Sequence, residues 1–413
     1  MSESLPRPLH VLFISPVSPL SGRSGAEQRS RMLWQGLTAH AQVDILQLEE
    51  AAGSATPGVE RLAASPEGAS EVVKAVVPAQ RWPWMRLRPQ PLWTARIEAV
   101  LPRKLSAYDL IVARYLWPVS QLALPRGPRV VVDLDDWRYR RDPLAPASGL
   151  LKLARKRLAN LLARRELHRF DAAFAVSDLD MRELRGRVDV HWLPNVPTQG
   201  PESVTPVPAT RQLLFVGSLW YEPNVEGVEW LLNAVWPLVR ARIPDAKLLL
   251  AGTASPRARE AWAAHPGVSA PGFVDDLAAT YSQSCGVVVP VLSGAGSNIK
   301  VLEAMAHGRP CVVTPLVHGA FSDHLEPERH YHVAATASEF AEAMVRMLLQ
   351  PQGEQPMADA ALERVRHVFE PGRFALAARS LLCPTADAGG VPPCGPEAGS
   401  AIRDGVDGHG AQR

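Results

Sequence analysis

One short stretch, Ser293 to Thr314 (SGAGSNIKVLEAMAHGRPCVVT), has residue types and spacing suited to gripping a phosphorylated ligand. Gly294 and Gly296 carry no Cβ, so a ligand can approach their backbone closely. Ser297 or Asn298 can cap a following helix, leaving N–H groups facing the loop. A helix start of this kind attracts phosphate. Lys300 and Glu303 are three apart and so share one helical face. A cation beside a diphosphate, with a carboxylate accepting from two ribose hydroxyls, would hold a nucleoside diphosphate. The same spacing also suits a plain surface helix with a capped start and a Lys–Glu pair, and spacing alone leaves both open. In either case Gly308 and Pro310 end the helix.

A second set sits in VVVDLDDWRYRRD, where Asp133, Asp135 and Asp136 follow an apolar run. A carboxylate at the carboxyl end of a strand can orient a hydroxyl or take its proton. Trp137 stands beside these acids. Asp-rich spacing also suits a metal, and the local alternative is pairing with Arg138, Arg140 and Arg141. The third set is the stretch Gly149 to Asp171, with seven Lys/Arg and an apolar stripe of Leu150, Ala154, Leu158, Leu161 and Leu162. The stripe is expected to pack on a core and leave its cationic face solvated. That face also suits an anionic lipid surface, and Trp82 to Trp93 (WPWMRLRPQPLW) adds interfacial aromatics.

These residues need strands to carry them and helices that start beside them. Leu9 to Ser15 reads as a buried parallel strand ended by Pro16. A helix through Met32, Leu33 and Leu37 and a strand Val43 to Leu48 follow. Residues 51–70 read as a loose loop. Further strands are expected at Tyr108–Ala113, Arg129–Asp133 and Ala172–Val176. After a Pro-rich segment the alternation restarts: strand Gln212–Val216, helix Val225–Val239, strands Lys247–Ala251 and Val287–Val291, a helix after Gly296, and strand Cys311–Thr314. The fold class is α/β. Two Rossmann-like doubly wound domains are expected, 1–193 and 211–370, joined by a 194–210 linker. Residues 371–383 are expected to pack back on the first domain, and 384–413 to form a disordered tail.

Composition agrees with this division. The chain has 413 residues, and at roughly 150 per domain that allows two or three domains. It is 46% hydrophobic and 21% charged, which excludes disordered and fibrous classes. Residues 1–200 carry 28 basic and 20 acidic side chains, and the remainder 16 and 22. The split suggests an anionic partner for the first half, with chance composition as the alternative. Cys285, Cys311, Cys383 and Cys394 form no CxxC, which argues against a zinc site and a disulfide framework. No signal peptide or spanning run is expected, so the chain reads as cytoplasmic. The first loop has GRSG rather than GxGxxG, which disfavours a dinucleotide oxidoreductase.

The Ser293–Thr314 segment resembles the donor-binding signature of retaining glycosyltransferases of family 4 (group 1), which have the GT-B fold. In that family the glutamate opening E-A-M-A-x-G-x-P binds the nucleotide ribose, a role that falls here on Glu303. A basic residue just upstream faces the diphosphate, here Lys300. Ser24 to Glu27 (SGAE) resembles the family's first Gly-rich loop, with Gly25 against the diphosphate. LLFVGSLWYEPN resembles the opening of the donor domain, with Gly217 and Ser218 beneath the donor. PGFVDDL resembles the turn that flanks the base. The likeness runs to about Leu382 and implies that Gly294, Gly296, Ser297, Asn298 and Ile299 line the donor with Lys300 and Glu303. Two places depart from the pattern. Ala295 stands where the family has the first of two glutamates, and LWYEPNVEG lacks the usual Arg and Lys, so Lys300 becomes the main positive charge.

The resemblance implies transfer from a nucleotide-diphosphate sugar to a hydroxyl acceptor by front-face attack, with the leaving diphosphate taking the acceptor proton. It implies no metal, no cofactor beyond the donor substrate and no protein nucleophile. The catalytic candidates are Lys300, Glu303, Asp135 and Asp136, and the task is electrostatic. Polysaccharide, glycolipid or glycosylated-metabolite synthesis fits, with a lipid-linked acceptor and peripheral contact at the inner membrane face through 149–171 among the options. No nucleic-acid partner is expected. Two other readings share the fold: a non-catalytic nucleotide-sugar-binding protein, and a nucleotide-sugar epimerase, for which the loop near Gly296 lacks convergent acids and a histidine.

Overall fold

A computed structural model describes residues 8–21, 25–62, 70–80, 85–135, 137, 140–141, 150–197, 200–201, 203–294 and 298–382. The expected tail at 384–413, Cys383 and Cys394 lie outside them, as do Trp82 and parts of the 194–210 segment.

The first half supplies β1 (His10–Ser15), β2 (Gln42–Glu50), β3 (Gly58–Arg61), β4 (Val72–Val77), β5 (Leu110–Arg114) and β6 (Arg129–Leu134). A two-residue strand β7 (Arg140–Arg141) leaves the sheet before β8 (Ala172–Ala175) and β9 (Val190–Trp192) rejoin it. The order is β3-β4-β2-β1-β5-β6-β8-β9, parallel except at β3. Val11 to Ile14 are fully buried, as a parallel strand covered on both faces must be, so it reads as an unbroken apolar run. Among the described residues this half carries α1 (Gly25–Thr38), α2 (Pro91–Glu98), α3 (Leu116–Ser120), α4 (Leu150–Glu166) and α5 (Asp178–Leu184). On α1, Leu33 and Leu37 are one turn apart and buried with Trp34.

The second sheet is built from β10 (Gln212–Val216), β11 (Lys247–Ala251), β12 (Val268–Gly272) and β13 (Gly286–Val289). The short β14 (Ser293–Gly294) stands apart from it, and β15 (Cys311–Val313) and β16 (His332–Val333) complete it. Its order is β12-β11-β10-β13-β15-β16, all parallel. Its helices are α6 (Glu222–Trp230), α7 (Trp236–Arg242), α8 (Pro256–Ala263), α9 (Leu277–Ser282), α10 (Lys300–Ala306), α11 (Pro315–Gly319), α12 (Ala337–Leu349), α13 (Gln355–Val368) and α14 (Gly372–Leu382).

Two elements join the halves near the site. Ser293 and Gly294 of β14 pair antiparallel with Arg141 and Arg140 of β7. After α13 the chain returns, and α14 packs on α1. A Cβ on Gly36 would lie 2.9 Å from the Phe374 carbonyl oxygen, so the helices meet where α1 has no side chain.

The structure differs from expectation in three places. Residues 51–70 are not all loop, because Gly58–Arg61 forms an antiparallel edge strand on β4. The strand β4 itself was not expected: Lys74 interrupts its apolar run. The helix expected over Val225–Val239 spans α6 and α7 with a π turn at Leu231–Val235 between them. Pro237 follows that turn and has no N–H for the carbonyl four residues back, so the ladder widens just before it.

Candidate functional site

The carboxyl end of β10 runs into Gly217 and Ser218, and α6 and α10 both start nearby. The half-buried Lys300 at the start of α10 donates from Nζ to Asn224 Oδ1 at 2.8 Å. Its Nζ lies 5.7 Å from the Phe215 ring centre. Asn224 Nδ2 in turn donates to the Ser218 carbonyl at 2.8 Å. One buried amide thus fixes both the ammonium and the loop. Burial lowers the Lys300 pKa to about 8, with the Glu303 carboxylate opposing the fall. Glycine at 217 lets both groups sit close to the loop: a Cβ there would lie 3.1 Å from Asn224 Nδ2 and 3.3 Å from Lys300 Cε, and both would have to shift slightly.

Glu303 lies one turn further along α10, half-buried. Tyr281 is fully buried and its hydroxyl is held well above its usual pKa, first by burial and then by the charge of Glu303. Gly294 holds φ 129°, and a Cβ there would meet Pro223 Cγ at 3.3 Å. Gly294 therefore belongs to the same site, opposite Arg140 of β7. Ser293 Oγ donates to Glu226 of α6 at 2.5 Å. The expected cap differs. Asn298 holds φ 50°, and the residue that caps α10 is Ile299, without a side-chain cap hydrogen bond. An asparagine in the left-handed region turns the chain into the helix and accepts from the Val301 N–H through its backbone carbonyl, at 3.0 Å, not through its side chain. Ala295, Gly296 and Ser297 lie outside the described residues.

The first-half residues form a separate cluster at the carboxyl ends of β5 and β6. Asp133 is fully buried and receives Arg29 at 2.8 Å (Nε–Oδ2) and 2.5 Å (Nη2–Oδ1). The fully buried Arg114 places Nε 3.0 Å from Asp133 and donates from Nη2 to Asp135 at 2.6 Å. Asn195 Nδ2 donates to Asp135 Oδ1 at 3.0 Å while its Oδ1 accepts from Arg29 Nη1, also at 3.0 Å. Burial pushes the Asp135 pKa up, but Arg114 and Arg29 and the bonds from Asn195 and Arg114 outweigh it and hold the carboxyl below its usual range. Arg114 Nη1 also donates to the Ala26 carbonyl at 2.8 Å, which places Gly25, the first residue of α1, with this cluster. Tyr115 beside it holds φ 63° and ψ 153°, a strained backbone for a bulky residue.

For Asp133 and Asp135 the expected pairing with Arg140 is corrected. Their cations come from α1 and β5, while Arg140 pairs with Asp180 at 2.7 Å and Glu183 at 3.3 Å. Asp136, Arg138 and Ser24 lie outside the described residues. Trp137 is buried in the first core. Arg29, Arg114, Asn195 and Asn224 were missed. Arg114 and Asn224 had a signal: a charge ending an apolar run, and an amide in the loop after Gly217. A narrow cleft between the halves is lined by Arg140, Ser177 and Leu179 from the first half and by Ser293, Gly294 and Asn298 from the second.

The apolar stripe on α4 does not pack as expected. Leu158 and Leu161 are 40% and 49% exposed, and Ala154 is exposed; of the stripe's described side chains Leu162 alone is half-buried. The Leu150 side chain lies outside what is described. Among the described residues, no helix is long and apolar enough to cross a membrane, and no group of three or more His, Cys, Asp or Glu could hold a metal ion.

Residues 210–350 match the family described as Glycosyl transferases group 1. An uncharacterized 44.6 kDa protein of the cps region of Klebsiella pneumoniae is 34% identical over 125 residues, covering 28% of this chain and 32% of that protein. The match thus spans about a third of that relative's length. Sucrose-phosphate synthase from Thermosynechococcus elongatus superposes with a TM-score of 0.68 at 20% identity, over 91% of this chain and 98% of that one. The α,α-trehalose 6-phosphate synthase of Burkholderia multivorans gives 0.60 at 15% identity, over 91% and 97%. Anabaena HepE in complex with UDP gives 0.59 at 14% identity, over 91% and 99%. At these identities the likeness is one of fold: two Rossmann-like sheets facing across a cleft, the GT-B arrangement.

Proposed function

We propose that this chain, which carries a group 1 glycosyl transferase domain within a GT-B fold, moves a sugar from a nucleotide-diphosphate donor to a hydroxyl acceptor with retention at the anomeric carbon. The observation that carries the reading is Lys300, held by Asn224 beneath the Gly217–Ser218 loop with Glu303 one turn along. Residues 211–370 form the donor side in this proposal and 1–193 the acceptor side. The Glu303 carboxylate accepts from the ribose hydroxyls. Lys300 faces the diphosphate, with Gly25, Gly294, Gly296, Ser297, Asn298 and Ile299 lining the donor. As the anomeric C–O bond breaks, charge gathers on the departing phosphate, where a pre-placed ammonium is most effective. That phosphate takes the acceptor proton as the hydroxyl oxygen attacks from the same face.

Asp135 and Asp136 are the acceptor-side candidates. A carboxyl held below its usual range is a weak base, so Asp135 fits orienting a hydroxyl better than removing its proton. The UDP bound to HepE, a neighbour in fold, makes UDP-sugars the first donors to try. A polysaccharide, glycolipid or glycosylated metabolite is the product class, and a lipid-linked acceptor would bring the basic 149–171 segment to a membrane surface.

Thermal stabilisation across UDP-, GDP-, ADP- and TDP-sugars tests the reading. A donor at 100 times its Kd adds about 2.7 kcal/mol of stability. Glu303→Ala is expected to weaken that donor roughly 10–100-fold, the loss of charge-assisted hydrogen bonds. An unchanged donor affinity in this variant overturns the site. Binding without turnover for any acceptor points instead to a non-catalytic binding protein, which the alanine at 295 favours. Gly217→Ala is a milder probe: its new methyl crowds Lys300 Cε, and donor affinity should fall about fivefold with little change in melting temperature.

A further inference from the structure

One face of α4 is apolar and basic, and among the described residues no element covers it. Leu151 is 79% exposed, and with Leu158 and Leu161 it lies along one side of the helix at helical spacing. The adjoining segment adds Leu92, 82% exposed, and Met85, 40% exposed. A groove lined by Leu87, Arg88, Leu158, Leu162, Arg165 and Glu166 joins the two, and Glu166 is paired with Arg169 at 2.6 Å. The cations are distributed unequally. Arg86, Lys156 and Arg164 are paired with Glu50, Glu222 and Glu183. Arg88, Arg155, Arg157 and Arg165 are exposed, and among the described residues none offers them an ion-pair partner. By helical spacing Arg155 and Arg157 lie on either side of the leucines, and Arg165 lies among them.

Leucines bordered by uncompensated arginines suit a helix lying in the plane of a lipid interface, apolar face in the acyl boundary and guanidinium groups among phosphates. A water-facing helix would bury those leucines, and an apolar protein partner would leave the arginines unmatched. We propose that α4 and the 85–92 segment form a docking surface for an anionic phospholipid bilayer. The proposal deepens, and rests on, the membrane contact in the functional reading above. The position suits a lipid-linked acceptor. Lys156 on α4 reaches Glu222 at the start of α6 at 3.6 Å, two residues from the Asn224 that holds Lys300, so a bilayer under α4 lies beside the cleft.

Co-sedimentation of the full chain with phosphatidylcholine vesicles, and with vesicles also containing phosphatidylglycerol, tests this. The chain is expected on the anionic vesicles and not on the neutral ones. Leu158→Glu with Leu161→Glu should reduce that partition at least tenfold at an unchanged melting temperature. Arg155→Gln with Arg157→Gln should reduce it roughly 10–30-fold and remove much of its salt dependence, at about fivefold per arginine. Equal partition onto both vesicle types overturns the proposal, as does partition that neither pair of changes alters. A dimer in solution that the leucine changes disperse, with no vesicle preference, also overturns it and assigns the face to a second copy. Nucleotide-sugar protection measured on the same proteins separates the two ideas: its absence in the unaltered chain removes the transferase reading and leaves the vesicle result standing.

Discussion

Lys300→Met is expected to lower turnover by about two to three orders of magnitude, the usual loss when a pre-placed charge-stabilising donor is removed from a transition state. The effect is large because the loop after Ser218, LWYEPNVEG, supplies no cation of its own. Methionine keeps the length and the contact with Phe215, so folding should be little disturbed. The pH dependence has a definite sign. Burial brings the Lys300 pKa from its ordinary value down to about 8. The ammonium is therefore present below that pH and lost above it, and donor affinity in the unaltered protein should fall as pH rises through about 8. The methionine variant should show no such fall. Donor titrations on both proteins from neutral to alkaline pH check this, and parallel slopes would remove Lys300 from the diphosphate.

Arg114→Met is expected to destabilise the fold by about 3–5 kcal/mol, the cost of stranding a buried charge. Arg114 and Asp133 are both fully buried, and Asp135 loses its 2.6 Å partner at the same time. Asp135 is held below the usual carboxylate range, so it contributes stability that is present above the unfolded carboxylate's pKa and lost as pH falls through the folded one. The unaltered protein should therefore weaken in acid. Arg114→Met should already lack that contribution at neutral pH, giving a flatter acid profile. Urea unfolding at neutral and acid pH measures both. A loss under about 1 kcal/mol would mean that Arg29 and water compensate Asp133 without Arg114.

The strands that read most clearly were those buried on both faces, such as β1, β10 and β11, where no polar residue breaks the run. The edge was harder. Lys74 interrupts β4, and β3 is a short antiparallel addition in an Ala- and Gly-rich stretch. Lys300 and Glu303 stood out because helical spacing is local. Their support did not, because Asn224 lies 76 residues from Lys300. The buried ion network was invisible for the same reason: Arg29 meets Asp133 across 104 residues and Asn195 across 166. For α4 the periodicity identified the apolar face correctly, yet periodicity carries no information about whether another element covers it.

The pairing of Ser293–Gly294 with Arg140–Arg141 is two residues long. A ladder that short contributes a couple of backbone hydrogen bonds, about 1 kcal/mol each net. As a latch between the halves it would, on its own, leave roughly a few per cent of molecules unlatched at any moment. A ligand that bridges both sides draws the population toward the latched form by its difference in affinity for the two forms and by no more. Donor affinity and latch strength are then one free energy seen from two ends. Weakening the ladder should loosen the donor and hasten product release together, and strengthening it should tighten the donor and slow release.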